Sequence, residues 1–313
     1  MADSTPPSPT IERRDCATAE ELLDWLSPRH PLWQAVPQAW IFRGQSKDWP
    51  LKAKAHREGD WFQELGLPMS LEGEPRWALE DHQVNLMLID FSDELDRAGL
   101  PVPARGPQLF RGTSWESRSG EPEREALPTL ALAQHLGLPT PWLDWSLQAR
   151  SAAYFACSDL VWKKDAEPGR MVVWALRRHF VQATEDVQIG DTWLTVEAAP
   201  RAGNARLHAQ SGLFTWLRGE SASATSVENY VESLAALPPE ALKRGQVFDP
   251  PYMRCFTLDR AHAPQLLGLL SQEGVTAASV FPGYEGVVQA LKERGWLRAK
   301  WPRPTGAPLV FDR

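Results

Sequence analysis

The chain has little cysteine, and its thiols stand far apart. Cys16, Cys157 and Cys255 are the three cysteines in 313 residues, and none belongs to a CxxC pair or a Cys/His group at metal-ligand spacing. This absence argues against a zinc site and against a disulfide framework, so no metal is expected. Unpaired cysteines are typical of proteins in a reducing compartment, and the expected location is cytoplasmic.

An excess of positive charge and long apolar runs are missing as well. The net charge of −7 argues against a broad basic surface that wraps duplex DNA. Apolar runs such as Met171 to Leu176 are too short to cross a bilayer, so no membrane partner is expected. The first residues are rich in Pro, Ser and Thr and lack the order of a signal peptide. Residues 1–16 are therefore predicted to form a disordered tail.

Tryptophan, by contrast, is abundant. Fifteen tryptophans indicate a wide core or an aromatic-lined cleft, because Trp favours partly buried positions where its N–H reaches an acceptor. The length favours one elaborated domain over residues 17–313. Residues 101–128 are rich in Pro, Gly, Ser, Arg and Glu and are predicted to be an exposed insertion.

Apolar periodicity predicts an α+β fold, with a mixed, mostly antiparallel sheet core and surrounding helices. Thr18 is the expected N-terminal cap of the first helix. Gly137, followed by Pro139, is expected to end the helix predicted at Leu127 to Leu136. Helices are predicted at Ala17 to Leu26, 75–97, Leu127 to Leu136, Ala149 to Asp159, 261–273 and 284–294. Strands are predicted at Trp40 to Gly44, Arg170 to Leu176 and Arg254 to Leu258.

The segment from Thr129 to Cys157 places polar side chains among residues typical of a core. Gln134, His135 and Asp144 stand out in this segment. Burying such groups costs free energy unless each finds a partner, so the segment is either a satisfied structural network or a site.

Five sequence blocks together resemble a known family. They are Phe42-Arg43-Gly44, the block LALAQHLGLPT at 130–140, LDWS at 143–146, AYFA at 153–156, and ARLHAQSGLFT at 205–215. Their order and spacing resemble the FRG domain family of bacterial and phage proteins. Pro141 stands where the family usually has Arg, and Ser146 stands where Thr is commoner. The family is named for its motif, so the resemblance implies a fold without a settled reaction.

The order of motifs is also similar to that of the ADP-ribosyltransferase fold. That similarity implies an NAD-consuming enzyme of a bacterial toxin or phage-defence type, with NAD as co-substrate and a protein or nucleic acid as acceptor. In this interpretation Arg43 holds a pyrophosphate or ribose, and aromatic rings stack on nicotinamide. The implied catalytic residues are Arg43, His135, Asp144 and Gln210. The implied ligand-binding residues are Arg43, Gln45, Gln134, Trp145, Ser146 and Tyr154.

Structural roles remain open for the same residues. Arg43 can form an ion pair with Asp144, and His135 can cap the end of its helix. Asp144 can cap a helix that begins near Ser146, while Tyr154 is simplest as a core residue.

Two other function classes also remain. One is a metal-independent hydrolase or nuclease in which His135, Asp144 and His208 act as acid and base. The other is a non-catalytic sensing or protein-interaction module that binds a nucleotide-like molecule. The sequence leaves the oligomeric state open.

Overall fold

A single sheet organises the molecule. The computed structural model describes residues 10–33, 39–73, 75–103, 126–162, 167–198, 212–238 and 249–300. Within them, seven strands form one sheet in the order β1-β7-β4-β2-β3-β6-β5. The strands are β1 (Ile11–Cys16), β2 (Trp40–Gln45), β3 (Trp142–Ser146), β4 (Arg170–Arg177), β5 (Trp193–Glu197), β6 (Gly212–Arg218) and β7 (Met253–Asp259).

The sheet is mixed and mostly antiparallel, which confirms the predicted α+β class. Among the described strands, only β1 and β7 pair in parallel, from Ile11↔Met253 to Cys16↔Leu258, and the other five pairings between neighbouring strands are antiparallel. The prediction of a disordered tail over residues 1–16 is wrong for residues 11–16. These residues form an edge strand, which pairs with one neighbouring strand and buries few side chains. Their charged side chains therefore gave no apolar strand pattern in the sequence.

Ten helices lie within the described residues. They are α1 (Ala19–Trp25), α2 (Trp61–Glu64), α3 (Arg76–Arg97), α4 (Leu127–His135), α5 (Ala149–Trp162), α6 (Arg178–Ala183), α7 (Val227–Ala235), α8 (Ala263–Gln272), α9 (Ala277–Val280) and α10 (Tyr284–Lys300). Thr18 caps α1 by accepting a hydrogen bond from the Glu21 amide at 3.2 Å, as predicted. Gly137 follows α4 with φ +87°, also as predicted.

The two faces of the sheet carry different layers. On one face, Ile41, Leu143 and Trp145 pack with residues of α6 and α7, such as Phe180 and Val231. Residues that alternate with them along the strands point to the other face, because side chains in a strand alternate between faces.

That second face carries two separate clusters of helices. Trp40 and Phe42 of β2 pack in the first cluster with α1, α5 and α8. Trp142 of β3 and Phe214 and Trp216 of β6 pack in the second cluster with α3 and α4. The boundary between the two clusters therefore lies over the junction of β2 and β3.

Two further sequence-based expectations concern this part of the chain. Asp144 lies in the middle of β3 and does not cap a helix, so that interpretation is wrong. Strand β3 was not predicted because it is buried on both faces, so its sequence lacks a strict alternation of polar and apolar residues. The central part of the predicted insertion, residues 104–125, lies outside the described residues. None of the described helices has the length and apolar character needed to cross a membrane.

Candidate functional site: a pocket where two strands separate

Strands β2 and β3 touch at one point and then separate. All six residues of β2 pair with β4, from Trp40↔Arg177 to Gln45↔Val172. Against β3, the same strand forms a single pair, Phe42↔Ser146. The main-chain groups of β2 and β3 beyond this pair therefore face each other across a gap in the sheet.

Arg43 is the side chain that bridges this gap. Its Nη1 donates to the main-chain oxygen of Asp144 at 2.9 Å and lies 3.8 Å from Oδ2 of the same residue. Its Nε donates to Oε1 of Gln45 at 3.2 Å. The side chain is 16% exposed, and burial lowers the pKa of Arg43 to about 10. The guanidinium is therefore still charged at neutral pH.

The side chain of Gln45 connects Arg43 to the segment that follows β2. Its Nε2 donates to the main-chain oxygen of Trp49 at 2.7 Å. Because Gln45 also accepts from Arg43, one amide side chain connects the arginine to the turn that carries Trp49. The side chain of Gln45 is buried, so this connection is shielded from water.

Gln134 and Asp144 meet on the opposite wall. Nε2 of Gln134, in the last turn of α4, donates to Oδ2 of Asp144 at 2.6 Å. Desolvation inside the concave site raises the pKa of Asp144, and the charge of Arg43 and the hydrogen bond from Gln134 oppose that rise. The Asp144 side chain nevertheless keeps 55% of its surface exposed, so a ligand in the gap can reach the carboxyl group.

The close packing of helix α5 against β2 requires a glycine at position 44, directly after Arg43. A Cβ atom at this position would lie 1.8 Å from the main-chain oxygen of Ala152 and 2.8 Å from the main-chain nitrogen of Ala156. Helix α5 therefore lies directly on β2, and only glycine leaves room for that contact. The small residues of α5 serve the same close packing.

The separated strands and the two helix clusters enclose a pocket of about 900 Å³. This volume is in the range of small-molecule sites. Among the described residues, three cations and three carboxyl groups line the pocket together with aromatic rings. The lining residues are Phe42, Arg43, Gly44, Gln45, Ser46, Trp49, Pro50, Lys52, His56, Arg57, Glu58, Gln134, His135, Asp144, Trp145, Ser146, Phe155, Asp159 and Phe281.

The sequence did not indicate the part of the wall formed by residues 49–58. A 3₁₀ turn at Lys54–His56 is held against the start of β3, where the Ala55 amide donates to the Thr140 oxygen at 3.1 Å. Lys54 Nζ donates to the Gly137 oxygen at 2.7 Å. These contacts join segments far apart in the chain, and no local motif announces them.

His56 and Arg57 enter the pocket from this turn. Burial, and then the charges of Lys52 and Arg76, lower the pKa of His56 to about 4, so its imidazole is neutral at physiological pH. Burial also lowers the pKa of Arg57, while the charge of Asp144 raises it. The electrostatic influence of Asp144 therefore extends to both arginines of the pocket.

The remaining predicted site residues divide into three groups. Trp145 and Ser146 line the pocket with His135, although the Trp145 Nε1 already donates to Thr215 Oγ1 at 2.8 Å. Tyr154 is fully buried beside the pocket wall, and its hydroxyl donates to the carboxylate of Glu293. Gln210 and His208 lie outside the described residues.

The comparisons with known proteins give one result. No curated protein and no solved structure matches the chain. The model of the FRG domain matches residues 38–165, which run from β2 through α5 and supply all the described lining residues of the pocket except Phe281. The chain therefore contains an FRG domain over residues 38–165, and this domain builds nearly all of the described pocket lining.

Proposed function

We propose that the chain binds a nucleotide-like ligand in this pocket, with NAD as the first candidate, and that it consumes NAD as an ADP-ribosyltransferase-like enzyme. One observation carries the proposal: the charged guanidinium of Arg43 lies in a strand gap that opens into a cavity of about 900 Å³. A planar guanidinium suits a pyrophosphate or a ribose, since it presents several donors in one plane.

The balance of charges in the pocket supports a ligand that carries both signs. The pocket lining includes three positively charged side chains, Arg43, Lys52 and Arg57. It also includes three carboxyl groups, those of Glu58, Asp144 and Asp159. A simple polyanion would meet the carboxylates as well as the cations. NAD carries a diphosphate and a positively charged pyridinium ring, so groups of both signs find partners.

Asp144 is the group suited to the chemical step. When the bond between C1′ of the ribose and the pyridinium nitrogen breaks, its electron pair stays with nicotinamide and positive charge develops on the ribose. A carboxylate held in place by Gln134 and Arg43 would stabilise that charge without moving. Water or an acceptor group then forms the new bond to C1′ and releases a proton.

The test compares the parent protein with Arg43→Ala, Asp144→Asn and a control, Arg97→Ala. Arg97 is an exposed arginine paired with Glu94 on α3 and does not line the pocket. The measurements are the shift in melting temperature with NAD, the release of nicotinamide, and mass addition to proteins and nucleic acids of a cell extract.

The three variants are expected to behave differently. Arg43→Ala is expected to lose binding, and Asp144→Asn is expected to keep binding while turnover falls about 10²-fold. Arg97→Ala is expected to match the parent. Binding without release of nicotinamide would overturn the enzymatic part and leave a non-catalytic sensing module. The absence of any NAD-dependent shift in the parent would overturn the proposal as a whole.

A further inference from the structure

Trp49 is unusual among the tryptophans of this chain. Its side chain is 51% exposed, whereas every other tryptophan whose burial the structure describes is buried or half-buried. Among the described residues its ring has no aromatic or cationic partner, while Trp25, Trp33, Trp142 and Trp162 all have one. Leaving a large aromatic surface in water costs free energy, so an exposed, unpartnered ring at a pocket calls for an explanation.

The main chain around Trp49 is held firmly on both sides. Gln45 donates to the Trp49 oxygen at 2.7 Å, and the Trp49 amide donates to the Lys47 oxygen at 2.9 Å. Two residues later, the Leu51 amide donates to the carboxylate of Glu228 at 3.1 Å. These bonds fix the main chain that carries the ring on the pocket lining, although the ring itself makes no aromatic or cationic contact with the described residues.

Arg43 and Trp49 are linked through a single residue. Gln45 accepts from Arg43 Nε with its oxygen and donates to the Trp49 main chain with its nitrogen. A group that binds phosphate and a ring that can stack on a base are thus set in a fixed relation. This is the combination that a nucleotide requires, because stacking works with any base while the cation holds the phosphate.

We infer that Trp49 forms the base-binding subsite of the pocket and stacks on the adenine of an adenine nucleotide whose phosphates contact Arg43. The inference rests on the proposed function and deepens it. If the reacting ribose lies at Asp144, the nicotinamide half occupies the strand gap, and the exposed ring of Trp49 on the lining of the same pocket is available to the adenine half. The ligand class is therefore an adenine dinucleotide or an ADP-ribose compound.

The test measures dissociation constants by calorimetry for three ligands that divide NAD into parts: NAD itself, ADP-ribose, and nicotinamide mononucleotide. The proteins are the parent, Trp49→Ala, Trp49→Phe and Tyr284→Ala. Tyr284 is the matched control because its ring is 93% exposed and does not line the pocket. Melting temperatures of all four proteins check that the variants are folded.

Trp49→Ala is expected to weaken NAD and ADP-ribose by about tenfold or more and to leave nicotinamide mononucleotide unchanged. Trp49→Phe is expected to recover most of the loss, and Tyr284→Ala is expected to bind as the parent does. If the parent binds the adenine ligands and Trp49→Ala binds them equally well, the inference fails and the proposed function stands. Equal losses for all three ligands would overturn the assignment to adenine. If the parent binds none of them, the proposed function itself fails.

Discussion

The guanidinium of Arg43 and the main-chain oxygen of Asp144 form a 2.9 Å hydrogen bond between two strands that pair at one position and then separate. A side chain here occupies the place that a main-chain donor occupies in a continuous sheet. Because Arg43 supplies a donor to this carbonyl, the arginine stabilises the opening that forms the pocket. Arg43 therefore has a structural role in addition to any contact with a ligand.

This double role predicts a measurable loss in Arg43→Lys. Lysine keeps the charge but cannot donate from two nitrogens in one plane to Gln45 and to Asp144. We expect the free energy of unfolding to fall by about 2 kcal/mol, measured by urea denaturation. Arg97→Lys, at an exposed ion pair, is expected to stay within about 0.5 kcal/mol of the parent. An unchanged stability of Arg43→Lys would contradict the bridging role.

Gly44 offers a second prediction, on the contact between β2 and α5. In Gly44→Ala the new methyl group would meet the main-chain oxygen of Ala152 at 1.8 Å, and neither backbone can yield locally. We expect a loss of about 3 kcal/mol in the free energy of unfolding. The matched control is Gly295→Ala in α10, where a Cβ meets nothing within 4 Å.

The control is expected to change stability in the opposite direction. Alanine at position 295 restricts the unfolded chain and favours the helix, so Gly295→Ala should gain roughly 0.5–1 kcal/mol. Thermal and urea unfolding of the two variants side by side provide the measurement. Similar losses in both variants would show that glycine at 44 is not required for the close approach of α5.

Local sequence signals predicted much of this fold. The cap at Thr18, the period of α3 and the glycine after α4 each act within a few residues, and the structure confirms all three. Strand β1 was not predicted because residues Glu12 to Asp15 are charged. It is stabilised by pairing with β7, which lies far from it in the sequence. A strand that depends on a distant partner leaves a weak local pattern.

The candidate site was predicted in part for the same reason. Gln134 and Asp144 stood out because polar residues are rare within apolar blocks, and Arg43 stood out through the Phe42-Arg43-Gly44 block of the family resemblance. The structure brings the three residues together. His56 and Arg57 did not stand out, since no motif marks their segment and it is held at the pocket by contacts with the distant residues Gly137 and Thr140. The roles of all these residues in ligand binding stay predictions.

A third prediction separates a structural from a ligand-binding role for Tyr154. Its hydroxyl donates to Glu293, a 4% exposed carboxylate that also accepts from Trp162 Nε1 at 2.9 Å and from the Ala277 amide at 3.2 Å. We expect Tyr154→Phe to lower the free energy of unfolding by about 2 kcal/mol, because a buried carboxylate loses a donor. We also expect it to leave NAD affinity unchanged, as measured by calorimetry.

Tyr230→Phe is the control for this variant. The Tyr230 hydroxyl is also buried, but it donates to the neutral main-chain oxygen of Val187 at 2.8 Å. Loss of that bond should cost about 1 kcal/mol, less than the loss at Tyr154, since bonds to charged groups are stronger. Weaker NAD binding by Tyr154→Phe at unchanged stability would instead place the hydroxyl in the ligand site.

The last prediction concerns the dependence of stability on pH. Burial lowers the pKa of His56 from 6.5 to about 4 in the folded protein, so the unfolded chain binds more protons than the folded chain between these two values. Stability from this residue is therefore complete above pH 6.5 and falls as the pH drops towards 4. Between pH 7 and pH 5 we expect a loss on the order of 1–2 kcal/mol from His56. Urea denaturation of the parent and of His56→Gln at both pH values isolates this contribution, because the variant has no imidazole to protonate. An identical pH dependence in the two proteins would show that His56 is freely solvated in the parent. A steeper pH dependence in the variant than in the parent would show that the His56 imidazole of the parent gains a proton on folding.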